Sequence, residues 1–595
     1  MKASWVGRPI RVLSVQGRPL GFPIGVACLA GLAALAAPGD AFAIGNLGLG
    51  GGFQSTDRPS EFRPELPAFE RQETPESFTL PPVPEAPGKP DGASPLVHIQ
   101  HIVIEGNTAL PPAKLRTMVQ PYENRDVSVA ELEELRQKIT KLYMDEGYIN
   151  SGAIIGDNAL ENGVLTYTIV EGRLSEVRVK GHGNLREGYI ANRLQGDPDR
   201  PLNIRELEDR FQLLLSDPLI SKMNGRILPG ASPGQGILDV EVSRARPYHF
   251  ALFGDNYRPP SVGPNAFGLF GSLLSPLGFG EILDFTFSTS AGTHRYAGGL
   301  TVPLNDSGTL AFFRFDEGDS VVVEAPFQNL DIQSEVHNLE GGVSHLIINT
   351  LRQRLNLGIL LATRENDTSV LGRPFSFVAG VPGGHTQATV WRLYQDYVQR
   401  WERHALAARS TFSVGMNALG ATPEKGDYPG SQFFAWLGQA QYAYRVDDDG
   451  TQLVLRGNVQ VANAPLLPLE KIAVGGINTV RGYRTNYLVR DNGYNVNAEL
   501  HYPLHRYELW GTPGWFELVP FMDYGEAWNL KTTWDPYAKS TALWSIGAGV
   551  HWNHQPLFAE IYYGYALNKP FRPKGDALDD LQDNGLFFDV RFDVF

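Results

Sequence analysis

Cysteine is almost missing from this chain: one residue in 595, Cys28, sits inside an N-terminal leader. A mature chain without thiols excludes a disulfide scaffold and thiol chemistry, and suits export to an oxidising compartment. Positive charge is scarce too. Lys and Arg number 51 against 65 Asp and Glu, a formal charge of −14, which argues against nucleic acid as a partner. After the leader no apolar run approaches the roughly 20 residues of a membrane helix, so helical spans are excluded. Glycine, at 64 residues, and aromatics, at 11%, are plentiful. If such a chain is membranous, it crosses as a β-barrel.

The leader reads as a signal peptide, residues 1–43. Lys2, Arg8, Arg11 and Arg18 precede an apolar run from Ile24 to Ala37, and no acid occurs before Asp40. Ala41-Phe42-Ala43 fits the small-x-small cleavage rule and predicts a mature start near Ile44. Lipoprotein cleavage at Cys28 is disfavoured, because the apolar run continues past it. Loss of four basic residues and one acid takes the mature chain from −14 to about −17.

Three zones follow. Residues 44–95 form a tail and linker, glycine-rich from Gly48 to Gly52 and proline-rich around Pro81-Pro82-Val83-Pro84. Such composition buries little and reads as a spacer, with an element that plugs a pore as the alternative. Residues 96–173 and 174–245 repeat one plan of strand, helices and strands. In the first copy Val97–Ile104 reads as a strand, Leu132, Leu135, Ile139 and Leu142 recur at helical spacing, and Val164–Val170 is a strand. In the second, Val177-Arg178-Val179, a helix with Leu207, Phe211 and Leu214, and Ile237–Val242 follow the same order.

Residues 246–595 hold sixteen candidate strands of about 10 residues each, beginning near Tyr248, Ala266, Ile282, Tyr296, Thr309, Val336, Arg354, Thr389, Ala405, Phe433, Gln452, Tyr494, Phe516, Leu543, Leu557 and Leu586. Trp544, Ile546, Ala548, Val550 and Trp552 share one face, opposite Ser545, Gly547, Gly549 and His551. Trp391, Leu393, Tyr397 and Trp401 likewise oppose Arg392, Asp396 and Arg400. Tryptophan towards lipid and arginine towards a lumen is the alternation of a membrane barrel, not of a soluble sandwich. Links after odd-numbered strands tend to be long (364–387, 464–492, 568–584), and those after even-numbered strands short, such as Asn305–Gly308 and Asp447–Gly450. Long outer loops with short periplasmic turns give that alternation, and an even strand count leaves both barrel ends on the periplasmic side. The terminal Phe595 is out of phase with Leu586, Phe588, Val590, Phe592 and Val594.

Two short motifs stand out. Val480-Arg481-Gly482-Tyr483 lies in the long link at 464–492, and Phe521-Met522-Asp523 lies forty-two positions beyond it, on the thirteenth strand. A guanidinium out of water needs an acid partner. Parity groups Asp523 with Phe521 and Val519, so alternation alone does not turn it towards the lumen.

Ile104-Glu105-Gly106-Asn107-Thr108, Gly147-Tyr148-Ile149, Val170-Glu171-Gly172-Arg173 and Leu228-Pro229-Gly230 resemble the turn and strand positions of polypeptide-transport-associated (POTRA) domains. With the sixteen strands and the two motifs, the chain resembles the outer-membrane transporters of two-partner secretion, the TpsB type that serves haemolysins and filamentous haemagglutinins. The resemblance implies a membrane all-β barrel behind two α+β POTRA domains. It implies an inward-folded link whose Arg481 pairs with Asp523, with Val480, Gly482, Tyr483 and Phe521 framing the pair. It also implies a large exported β-helical (TpsA-like) client met at POTRA sheet edges. Outer-membrane lipid and, during biogenesis, the barrel assembly machinery are the further partners. The family's N-terminal plug helix has no clear counterpart here, and Glu76–Leu80 is the one candidate anchor.

No catalytic residue, cofactor or metal is expected. His98-x-x-His101 on a strand puts its rings on opposite faces, Asp447–Gly450 reads as a tight turn, and no Gly-x-Ser-x-Gly elbow occurs. The rival readings are an outer-membrane assembly factor or insertase, which usually carries three or more POTRA units, and a passive porin or adhesin, which needs none.

Overall fold

The computed structural model describes residues 58–61, 64–69, 78–79, 95–232, 234–536, 538–568 and 580–594. The expected signal peptide, most of the tail and Phe595 lie outside the described residues. Among the described residues no helix is long and apolar enough to cross a membrane.

Two α+β units precede the barrel. In the first, the strand His101–Glu105 runs parallel to Val164–Val170, which pairs antiparallel with Gly152–Glu161. The helix Val129–Asp145 begins at a capping box, where the Ser128 hydroxyl accepts from Glu131 N and the Glu131 carboxylate from Ser128 N. Its Leu132, Leu135, Ile139 and Tyr143 bury one stripe against Leu165 and Tyr167 of the sheet. The second unit repeats the build. Arg173–Lys180 runs parallel to Gln235–Arg244, which pairs antiparallel with Ile220–Pro229. The helix Ile204–Leu215 buries Leu207, Phe211 and Leu214 against that sheet. Phe78–Thr79 adds a short parallel strand to the free edge of Ile220–Pro229.

Sixteen antiparallel strands then close a barrel. They are β1 Tyr248–Asp255, β2 Ala266–Leu274, β3 Ile282–Thr289, β4 Thr293–Pro303, β5 Thr309–Val321, β6 Ile332–Asn349, β7 Gln353–Val370, β8 His385–Arg400, β9 His404–Met416, β10 Phe434–Arg445, β11 Gln452–Ala462, β12 Asn492–Leu509, β13 Thr512–Trp528, β14 Thr541–His554, β15 Leu557–Ala566 and β16 Leu586–Asp593. A two-residue strand, Arg373–Pro374, folds back on the end of β7. The barrel closes where Ala251–Asp255 of β1 pair with Asp589–Asp593 of β16.

The count and order of strands agree with the sequence reading, but the lengths do not. β6, β7 and β12 each run 18 residues, about 45 Å of rise once tilted, well beyond the ~25 Å lipid-facing band. Residues 364–370 and 385–387, expected in a loop, are strand. Beyond the membrane both faces of a strand are wet, so hydropathic alternation fades while the hydrogen-bond ladder continues.

Face assignment follows the alternation. Trp544, Ile546, Ala548 and Val550 point outward, whereas Ser545, Gly549 and His551 are covered. The turns after β2 and β4 rest on the second α+β unit. Arg186 N donates to Gly278 O at 2.9 Å, the Arg186 guanidinium stacks 3.5 Å from the Phe279 ring centroid, and Arg193 meets Asp306 at 3.1 Å. The short turns therefore share a side with the α+β units. The long links open on the other.

Candidate functional site: the inward link and its charge ladder

The link between β11 and β12, residues 463–491, is buried or half-buried along nearly all its length and touches strands around the lumen. A short hairpin stiffens it, Ile472–Val474 pairing with Leu488–Arg490. Val480 and Tyr483 pack with Val474 and Leu488 against Ala527, Leu543 and Ala566 of β13, β14 and β15. Gly482, at φ +88°, brings the link's backbone against Gly564 of β15.

Arg481 is the most deeply held charge of this link. Its Nε donates to Asp523 Oδ2 at 2.8 Å, its Nη2 to Asp523 Oδ1 at 2.7 Å, and its backbone N to Oδ2 at 3.0 Å. The planar fork of a guanidinium matches a carboxylate in this bidentate manner. Arg481 Nη1 lies 2.8 Å from Glu499 Oε1 on β12. Its guanidinium carbon sits 3.5 Å from the Phe521 ring centroid and 5.0 Å from that of Tyr562. Asn497 Nδ2 adds a bond to Asp523 Oδ1 at 2.8 Å. Arg481 is 2% exposed and Asp523 not at all. The bonds to Asp523 and the charges of Asp523 and Glu499 offset the cost of burying the guanidinium.

The ambiguous parity of β13 has a physical explanation here. Val519, Phe521 and Asp523 face the interior, and Met522 faces out. The two apolar side chains point inward because the link and Tyr562 cover them, not lumen water.

The sequence reading named one acid for Arg481, and the structure supplies two. Glu499 also binds Arg456 of β11, whose Nη1 lies 2.7 Å from each carboxylate oxygen. From there a ladder of charges descends the wall. His501 bridges Glu499 and Glu517, at 3.1 and 2.9 Å. His551 bridges Glu517 and Glu560, at 3.1 and 3.3 Å. Tyr257 donates to Glu560 at 2.6 Å. The signal in the sequence was a polar residue at every second place of β12: Asn495, Asn497, Glu499, His501.

Two further anchors of the link were missed. Glu470 accepts from Arg392 Nη2 at 2.7 Å with both oxygens, and Arg364 Nε lies 3.7 Å away. Arg484 meets Asp583 at 2.6 Å and Glu324 at 2.7 Å. The Tyr483 hydroxyl lies 3.0 Å from Trp544 O and 2.7 Å from Asn568 Oδ1.

The tail also enters the lumen. Ser60 O accepts from Gln439, and Pro64 O from Gln441, both on β10. Leu66 and Phe69 pack on Ala405, Ala443 and Val454, and the Arg445 guanidinium sits 4.5 Å from the Phe69 ring centroid. The described residues of the tail that lie in the lumen are thus 58–61 and 64–69, and the expected anchor at 76–80 contributes Phe78–Thr79 to the α+β sheet edge instead. His98 and His101 pair separately with Asp126 and Glu123. Asp447 caps its turn, accepting from Gly450 N and Thr451 N.

Comparison with known proteins places this architecture. The model of the haemolysin secretion/activation protein family ShlB/FhaC/HecB matches residues 234–552, and that of the ShlB-type POTRA domain residues 97–172. The outer membrane transporter CdiB of Escherichia coli is 25% identical over 541 residues, 87% of this chain and 85% of that protein. The heme/hemopexin transporter protein HuxB of Haemophilus influenzae is 22% identical over 481 residues, 77% of this chain and 80% of that protein. The solved structure of CdiB from E. coli superposes with a TM-score of 0.65 at 22% identity, covering 86% of this chain and 92% of that one.

Proposed function

The chain belongs to the haemolysin secretion/activation family of ShlB, FhaC and HecB, and we propose that it passes one large exported β-helical protein through its barrel to the cell surface. It is an outer-membrane transporter of the two-partner type, with its POTRA domain in the periplasm. Secretion takes precedence over membrane insertion of other barrels, since the family model and the relatives are transporters.

In this reading an unfolded client meets the POTRA region as an added strand on a sheet edge. On the second unit the edge at Ile220–Pro229 carries Phe78–Thr79, so a client strand there displaces the chain's own tail. Threading then requires the link at 463–491 and the tail residues 58–61 and 64–69 to yield lumen space. Folding of the client outside draws the equilibrium outward without a nucleotide.

The observation that carries the proposal is Arg481 held between Asp523 and Glu499, which pins the link across the interior. Its function is that of a latch with one defined closed position. The test co-expresses the transporter with its client and replaces Arg481 by Ala and Asp523 by Asn singly. Reduced client secretion from a normally assembled, heat-modifiable barrel is the expected result. Normal secretion by both variants, with normal assembly, overturns the latch.

A further inference from the structure

The lower rungs of the ladder have a chemistry that the latch does not use. Glu517 pairs across the strands with His551, while His501 stands on the other neighbouring strand, two residues from the partner Pro503. His501 Nδ1 lies 2.9 Å from Glu517 Oε2, and His551 Nδ1 lies 3.1 Å from the same oxygen. One donor atom from each of the three residues lies within 4.8 Å of the others. Four-coordinate zinc with bonds of about 2.0–2.2 Å spaces its ligand atoms about 3.3 Å apart. Two of the three separations are already close to that value.

The outer nitrogens of both rings have the partners that metal-binding imidazoles use. His501 Nε2 faces Glu499 Oε2 at 3.1 Å. His551 Nε2 faces the Tyr562 hydroxyl at 2.6 Å and Glu560 Oε2 at 3.3 Å. A carboxylate behind each ring fixes its tautomer and orientation and leaves the other nitrogen to ligate. Access is open as well: the three side chains keep 11–16% exposure, which leaves a path for an ion and for a water in the fourth position.

Charge points the same way. Three carboxylates, Glu499, Glu517 and Glu560, meet here, and a nearby arginine, Arg456, is bound to Glu499. The two rings stand 5.7 Å apart, centroid to centroid, and both turn Nδ1 towards the same Glu517 oxygen, which is where a dication would sit.

We propose that His501, Glu517 and His551 bind a divalent transition metal of the zinc class and so lace β12, β13 and β14 together near the periplasmic mouth of the barrel. Two imidazoles and one carboxylate suit zinc and its neighbours rather than magnesium or calcium. Binding displaces the Nδ1 protons, so affinity falls as pH is lowered. The proposal does not depend on what the barrel transports.

The test uses the full-length, untagged mature protein in detergent, stripped with a chelator. Calorimetric titration with Zn²⁺ is expected to show one tight equivalent, accompanied by proton release and a higher melting temperature. Co²⁺ is expected to give the visible absorption of a four-coordinate site. His551→Gln and, separately, His501→Gln are each expected to weaken binding by about 10–100-fold or more, while His98→Gln leaves it unchanged. Heat-modifiable migration confirms that each barrel is assembled. If one histidine variant fails to assemble, the other decides. Absence of a tight equivalent in the unmodified protein, or equal affinity in an assembled His501 or His551 variant, overturns the site and leaves the cluster as a chain of ion pairs only.

Discussion

Gly482 of the inward link and Gly564 of β15 meet backbone to backbone. A methyl group built on Gly564 would lie 2.5 Å from Gly482 N, and one built on Gly482 would lie 2.8 Å from Gly564 O. Side chains are excluded there, so the glycine beside Arg481 sets how closely the link approaches the wall. Gly564→Ala is expected to lift the link off β15 at a cost of about 1–3 kcal/mol. Arg481 would then be drawn away from Asp523. Thermal melting in detergent and single-channel conductance read the two effects: a lower midpoint and a larger or noisier pore.

Arg481, Asp523 and Glu499 form a buried network in which Asp523 depends on Arg481 most. Arg481→Met strands Asp523, while Glu499 keeps Arg456 and His501, and is expected to cost about 3–5 kcal/mol. Asp523→Asn leaves Glu499 to hold the arginine and should cost less. Arg481→Lys keeps the charge but loses the bidentate fork and the stacking on Phe521, so it should behave nearer to Met than to wild type. A double-mutant cycle of Arg481→Met with Asp523→Asn should show coupling above about 1 kcal/mol. Additive effects would mean that the pair is not a unit.

Glu470 anchors the opposite side of the link. Glu470→Gln leaves Arg392 with Glu340 alone, at 3.8 Å. The expected outcome is faster proteolysis within 463–491 while β-sheet content stays constant. Unchanged cleavage would show that the Arg481 side holds the link unaided.

Deletion of residues 58–69 takes Ser60, Pro64, Leu66 and Phe69 out of the lumen without touching a barrel strand. The pore should conduct more, with barrel stability changed by less than about 1 kcal/mol, because the strand ladder is untouched. A conductance equal to wild type would show that this segment occupies space off the ion path.

The sequence disclosed the barrel well because lipid imposes a period of two on every spanning strand. Twelve of the sixteen strands begin within two residues of the expected position, including Tyr248, Ala266, Ile282 and Leu586. Of the four misplaced starts, Thr293, Ile332, His385 and Thr512, the last three open strands of 18, 16 and 17 residues, which run past the membrane, where the period loses its cause. Arg481 and Asp523 were legible through their motifs. Glu499 was not, since it becomes a neighbour of Arg481 only through the register of β12 on β13, which pairs Glu499 with Phe521 and Asn497 with Asp523. Glu470 and Arg484 were invisible for a like reason: their partners, on β7 and β8 for Glu470 and in the links after β5 and before β16 for Arg484, lie far away in sequence.

The ladder from Asp523 down to Tyr257 also determines what a passing chain would touch. An unfolded polypeptide carries a free amide donor and acceptor at nearly every residue, and would adhere to a wall of lone carboxylates or lone guanidinium groups. Along this stretch each acid already holds an arginine, a histidine or a tyrosine. Such a surface offers few vacant hydrogen-bonding sites. It is slippery to a chain in transit, wetted enough to repel apolar side chains and saturated enough not to grip the backbone.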